Sequence, residues 1–346
     1  MRSILLCGLL LTGSLAAFAQ SPPQVPPSPA ETSQQTAPGP QSGIVDLDTV
    51  VVSGAQPGPG MWKVSKGEHV LWILGTLTPL PKRMEWLSGD VERTIAQAQE
   101  IIAPPTVTMT SGLGMFRTML LLPSLFKARK NPDGRTLQEV VPPDLYVRWK
   151  ALKARYVGGD RGIEKWRPIF AAQELYEKAM RKSGLDQKSL VQPVVRRIAR
   201  RYDIPVTPAD VKLVIKDPKS ALKEFNRSAL DDSECFAGTM ARIETDLEGM
   251  RARANAWAVG DIEALRALPY ENQYAACLAA VTETGLARKL GISDLKERVA
   301  RAWLEAAEAA LAKNQVSFAT LPITQLLKPD GYVERLRAKG YVVEAP

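Results

Sequence analysis

The sequence predicts a mixed α/β fold, with a central sheet built from N- and C-terminal strands around a large helical middle section. Three observations carry this. Apolar, β-branched runs stand near the start of the foldable region, in MWKVS (61–65) and HVLWILGTL (69–77). Similar runs return at the end, in QVSFATL (315–321) and the closing YVVEA. Between them, apolar positions recur at helical spacing over most of 143–312.

Residues 1–19 read as an export leader. Met1-Arg2-Ser3 is a basic start, residues 4–18 are an apolar run, and Ala17-Phe18-Ala19 supplies the small-x-small signal for cleavage before Gln20. The run is too short for a transmembrane helix, and no other segment is long and apolar enough for one. The expectation is a periplasmic or secreted protein. Residues 20–59 form a leader rich in Pro, Gln, Ser and Gly, a composition that cannot bury a core. Within it, Asp46–Gly54 is a short β-prone segment resembling the energy-coupling box of TonB-dependent receptors. It reads either as an edge strand of the protein's own sheet or as a strand added to a partner. A single domain is expected over 60–346.

Lys66-Gly67-Glu68 between the first two strands signals a hairpin. Residues 88–101 have helical spacing, with Ser88 as N-cap. Ile101–Met109 reads as a strand interrupted by Pro104 and Pro105. Helices are predicted over 143–156, 163–183, 189–202, 218–228, 233–257, 260–267, 271–289 and 293–312, with a short strand at VKLVI (211–215) among them. A helix at 330–338 stops at Gly340, before the last strand.

The formal net charge is +8. The densest basic cluster, RRIARRY (196–202), sets Arg196, Arg197, Arg200 and Arg201 on one solvated helical face. Export argues against nucleic acid as a partner. After leader removal two cysteines remain, Cys235 and Cys277. In an oxidising compartment they would bridge, closing a loop of about 40 residues for roughly 3–4 kcal/mol; two buried thiols are the other outcome.

Several chemistries are excluded by residue supply. The chain has one histidine, His69. That rules out a multi-histidine metal site, and it rules out a Ser/His/Asp triad unless His69 itself serves. Two cysteines cannot make a Cys-based zinc site, and a catalytic cysteine would lack its usual base. No P-loop or dinucleotide-binding glycine pattern occurs, since the glycines of SGLGMF (111–116) are wrongly spaced.

Three stretches, in order, carry a resemblance: residues 61–102, RARANAWAVGDIEALRAL (251–268) and KPDGYVERLRAKGYVVE (328–344). Together they resemble the TraB/GumN family, over nearly all of 60–346. That family includes TIKI-like, metalloprotease-related proteins. The resemblance implies a site made from two Gly-x-x-His motifs, one near each chain end, with a mid-chain glutamate and an arginine. Such a set would hold a divalent cation and acidify a bound water. Here Gly75 is kept, but Thr78 stands in the first histidine's place. Near the end, Pro322-Ile323-Thr324-Gln325 puts Gln325 in the second. Asp217 is the nearest carboxylate after VKLVI. Arg298 stands for the arginine, followed by Val299 where asparagine is usual.

Neutral oxygens from Thr78 and Gln325 suit calcium at best. The resemblance therefore implies the family's fold without its metal chemistry: a non-catalytic, periplasmic binding or exopolysaccharide-associated protein. It would need no cofactor and would hold a peptide or polysaccharide segment. The alternative is a metal-dependent hydrolase with a rebuilt, histidine-free site using Asp217, Asp330, Glu334 or Arg298. A third reading is an energy-coupling accessory acting through residues 46–54. The sequence leaves the oligomeric state open.

Overall fold

A β-hairpin begins the sheet. Strand β1 (Met61–Lys66) turns through Gly67, at φ +61°, into β2 (His69–Thr76). The structure is a computed structural model and describes residues 56–111, 119–227, 232–268, 277 and 294–346. Alternation in β1 buries Trp62 and Val64, whose cross-strand partners are Ile73 and Leu71. The remaining strands are β3 (Leu80–Pro81), β4 (Glu100–Ile102), β5 (Thr106–Thr110), β6 (Leu185–Asp186), β7 (Val206–Thr207), β8 (Asp210–Val214), β9 (Val316–Pro322) and β10 (Val342–Glu344).

The main sheet has the order β10-β1-β2-β9-β4-β7. The chain ends thus lie side by side, as the sequence predicts: β10 pairs antiparallel with β1, and β9 runs parallel to β2. In β9, Phe318 and Ala319 are both fully buried, as are Ile73 and Leu74 in β2. Successive side chains point to opposite faces, so both faces of the central strands are covered.

The helices are α1 (Gly89–Gln97), α2 (Leu122–Ala128), α3 (Leu137–Val140), α4 (Pro143–Tyr156), α5 (Pro168–Lys182), α6 (Val191–Arg201), α7 (Pro218–Arg227), α8 (Ser233–Thr245), α9 (Leu247–Val259), α10 (Ile262–Ala267), α11 (Leu295–Lys313), α12 (Ile323–Leu327) and α13 (Tyr332–Ala338). The sheet core takes in Trp257 of α9 and Trp303, Ala307 and Leu311 of α11. A second core joins α4, α5 and α8, where Trp149 meets Phe236 at 5.4 Å. Cys235 and Cys277 are disulfide-bonded, which settles the choice left by the sequence.

Several elements differ from the sequence expectation, each for a local reason. The predicted strand 101–109 is two strands. Ile101 and Ile102 join the main sheet, whereas Thr106–Thr110 pairs with β8, because the two prolines redirect the chain. Helix α1 ends at Gln97, and Ser88 makes no capping bond; its hydroxyl donates to Glu92 instead. The predicted helix 163–183 is a short 3-10 turn (Gly162–Lys165) and then α5, which begins at Pro168. The predicted helix 233–257 breaks at Asp246 into α8 and α9. There the carboxylate takes the buried guanidinium of Arg253 at 2.6 Å, with Arg242 at 3.3 Å. Gly340, at φ +86°, follows α13 and stops it as expected. The β-prone segment 46–54 and the predicted helix 271–289 lie outside the described residues, apart from Cys277.

Candidate functional site

Strands β2 and β9 leave the sheet at the same end. Gly75 is level with Leu321 and Thr76 with Pro322. The Thr76 hydroxyl donates to the Leu321 carbonyl at 3.2 Å, tying the exits together. Leu77 is buried, Thr78 is half-buried and joined to Pro79 by a cis bond, and Pro322 leads directly into α12, which carries Gln325. Thr78 and Gln325, the two positions the resemblance assigns to histidines, are therefore brought to one end of one sheet.

What surrounds Gly75 is hydrocarbon. A Cβ on Gly75 would lie 2.5 Å from Ile323 Cδ1, 3.1 Å from Leu326 Cδ1 and 3.3 Å from Trp62 Cζ3. Its carbonyl accepts a bond from Trp257 Nε1 at 2.9 Å. Trp257 opens the Trp-x-x-Gly-Asp segment, and each of the three residues has a physical task. Gly260, at φ +75°, ends α9 where a Cβ would stand 3.1 Å from the Gly58 carbonyl oxygen. Asp261 then caps α10 by accepting from the Ala264 amide at 2.8 Å. At the chain end, a Cβ on Gly331 would lie 2.2 Å from the Gln325 carbonyl oxygen. The Pro-Asp-Gly turn thus folds back on Gln325 itself.

The other predicted site residues are engaged locally. Asp217 is exposed and caps α7, accepting from the Ser220 amide at 3.0 Å. Arg298 sits in the first turns of α11 with Asp294 at 3.6 Å, and the adjacent Val299 packs on Val211 and Leu213. Asp330 is exposed, and Glu334 is ion-paired with Arg337 on α13. His69 starts β2 at the far end of the strand from Thr76, about 23 Å away at ~3.3 Å per residue.

A divalent cation of the kind the family's histidines would hold does not fit these residues. Thr78 and Gln325 offer neutral oxygens only, and the neighbouring Gly75 is packed against Ile323 and Leu326. Among the described residues, no group of three His, Cys, Asp or Glu side chains could hold a metal. No step through a metal is derived for this chain.

Beside α12 lies a cleft of about 450 Å³, bounded by α9, α10 and the Lys328-Pro329 turn. Leu265, Ile323 and Leu327 give it an aliphatic floor, and Arg253, Arg266 and Lys328 give it cationic groups; among the described residues no carboxylate lines it. Arg253 is buried and its charge is met by Asp246, so Arg266 and Lys328 present the cationic rim. Thr324 is the one hydroxyl in the lining, with no lining base to activate it. The arrangement can hold an anionic group over an apolar surface. The sequence reading missed Trp257 as the donor to Gly75, and it missed this cleft. The available signal was a pair of arginines, Arg251 and Arg253, within an otherwise apolar helix.

Glycine and tryptophan thus tie the first strand exit to α9, and Thr76 ties it to the second exit. Residues 60–345 match the TraB/PrgY/gumN family, and the chain belongs to it. No curated protein and no solved structure matches.

Proposed function

We propose that this chain is an exported, non-catalytic member of the TraB/PrgY/gumN family that binds a segment of an acidic polymer, peptide or exopolysaccharide, in the cleft beside α12. The export part rests on the leader pattern of residues 1–19, and a periplasmic location is its natural consequence. One observation carries the non-catalytic part. Where two imidazoles would converge, Thr78 and Gln325 stand next to a Gly75 enclosed by Ile323, Leu326 and Trp62. Of the carboxylates a rebuilt hydrolase would use, Asp217 caps a helix and Glu334 pairs with Arg337, while Asp330 is exposed.

The cleft supports the ligand class. Arg266 and Lys328 attract a carboxylate, and the aliphatic floor, with no aromatic ring among its described residues, suits peptide side chains better than a sugar face. Titration with an acidic oligopeptide and with a uronate-containing oligosaccharide tests this. The expected result is saturable binding, stronger for the peptide, weakened tenfold or more in R266Q/K328Q, with the ligand recovered at its original length. Binding untouched by R266Q/K328Q, or a cleaved ligand, contradicts the reading.

A further inference from the structure

A second surface, away from the cleft, has an unusual composition. Residues 119–132 contain no Asp or Glu, but hold Lys127, Arg129 and Lys130. Within this stretch α2 lies against α7, and a groove opens on each side of the pair. One groove, of about 970 Å³, is lined by Lys127, Lys130, Lys165, Lys219 and Lys223, with Asp133 as the one carboxylate among the described lining residues. All five lysines are exposed. Among the described residues none of them is ion-paired. The other groove, of about 410 Å³, is apolar, walled by Leu125, Phe126 and Phe225.

Helix α2 buries only Ala128. The apolar residues of α2 and of the segment leading into it face outward: Leu120 is 78% exposed, Met119 65%, Phe126 57% and Leu125 49%. A patch of this kind is uncommon on a free surface. Both walls are fixed to the helical block by one buried residue. Arg167 donates from Nε to the Lys130 carbonyl at 3.3 Å, and from its guanidinium to the carbonyls of Phe225 at 2.8 Å and Asn226 at 3.3 Å. The face is thus preformed.

We infer that this face docks on an anionic lipid surface, with the α2 side chains sinking below the headgroups and the five lysines meeting lipid phosphates. Charge complementarity selects the partner: five cations in one groove lie beside outward-pointing hydrocarbon, with one carboxylate among the described lining residues. A polysaccharide would leave Leu120 and Phe126 in water. An extracted lipid would call for an enclosed cavity, and both grooves are open. The contact is interfacial, since no helix among the described residues is long and apolar enough to cross a membrane.

Vesicle co-sedimentation tests this, using the whole chain with the same N-terminus in every variant. The lipids are phosphatidylcholine alone or mixed with phosphatidylglycerol, at near-physiological salt. The expected result is binding to the anionic vesicles only. Each lysine removed should lower partitioning about fivefold, so K127Q/K219Q/K223Q should lose on the order of 100-fold. L120S/F126S should release the protein as well. Circular dichroism should show all variants folded. R196Q/R200Q/R201Q removes the same number of charges from α6 and should bind as the parent does. Failure to bind anionic vesicles, equal binding to neutral ones, an equal loss in the α6 variant, or binding of an acidic protein with none to vesicles would overturn the inference.

Discussion

The indole Nε1 of Trp257 donates to the carbonyl of Gly75 at 2.9 Å, joining residues 182 apart in sequence. Both are fully buried beside α12. A single bond therefore links the first strand exit, the mid-chain helix and the closing segment. Trp257→Phe keeps most of the apolar volume but leaves a buried carbonyl unpaired. The expected cost is about 1–3 kcal/mol, read by urea unfolding with an unchanged m-value.

Gly75 should tolerate no side chain without adjustment. Gly75→Ala places a methyl 2.5 Å from Ile323 Cδ1, at an expected cost of about 1–3 kcal/mol from overpacking. Ile323→Val removes the offending methyl group. The double variant should recover part of the loss, so a double-mutant cycle should show coupling of about 0.5 kcal/mol or more. Additive effects would place the strain elsewhere.

The Cys235–Cys277 bridge spans a sequence separation of 42. In the chain-entropy account its loss should cost about 3–4 kcal/mol. Thermal unfolding of C235A/C277A, compared with the oxidised parent, reads this directly. Addition of reductant should lower the parent toward the variant and leave the variant unchanged.

Glu92 provides a pH-dependent contribution. Hydrogen bonds from Arg197, at 2.8 Å, and from Ser88, at 2.6 Å, hold its carboxyl below the usual glutamate value. A lowered folded pKa gives stability that is present above the unfolded value and is lost as pH falls through the folded one. The pair is partly exposed, so Glu92→Gln should cost only about 0.5–1 kcal/mol at pH 7. The difference should persist down to the ordinary titration range near 4.5. It should vanish below that, as measured by denaturation at a series of pH values.

Much of the fold was legible because the decisive signals were local. Helix α4 could be bounded from Pro142-Pro143 and the spacing of Leu145, Trp149 and Leu152, all three of which are buried. The terminal strands could be paired from their composition alone. Strands β3, β6 and β7 have two residues each, too few to show a period. The break at Asp246 was hidden because its one marker, Gly249, lies three residues further on, where a Cβ would stand 2.3 Å from Asp246 Oδ1; buried arginines hold that carboxylate. At the candidate site, Gly75, Thr78 and Gln325 could be located from motif order. The enclosure of Gly75 by Ile323, Leu326 and Trp62 could not, since it depends on packing between distant segments.

The most direct test of the central claim is metal content measured together with peptidase activity. The protein should be purified without a histidine tag and supplied in turn with manganese, cobalt, zinc and calcium. Fold without metal chemistry predicts no stoichiometric metal and no turnover with any of the four. A stoichiometric metal, with turnover lost in Asp217→Asn or Gln325→Ala, would contradict it.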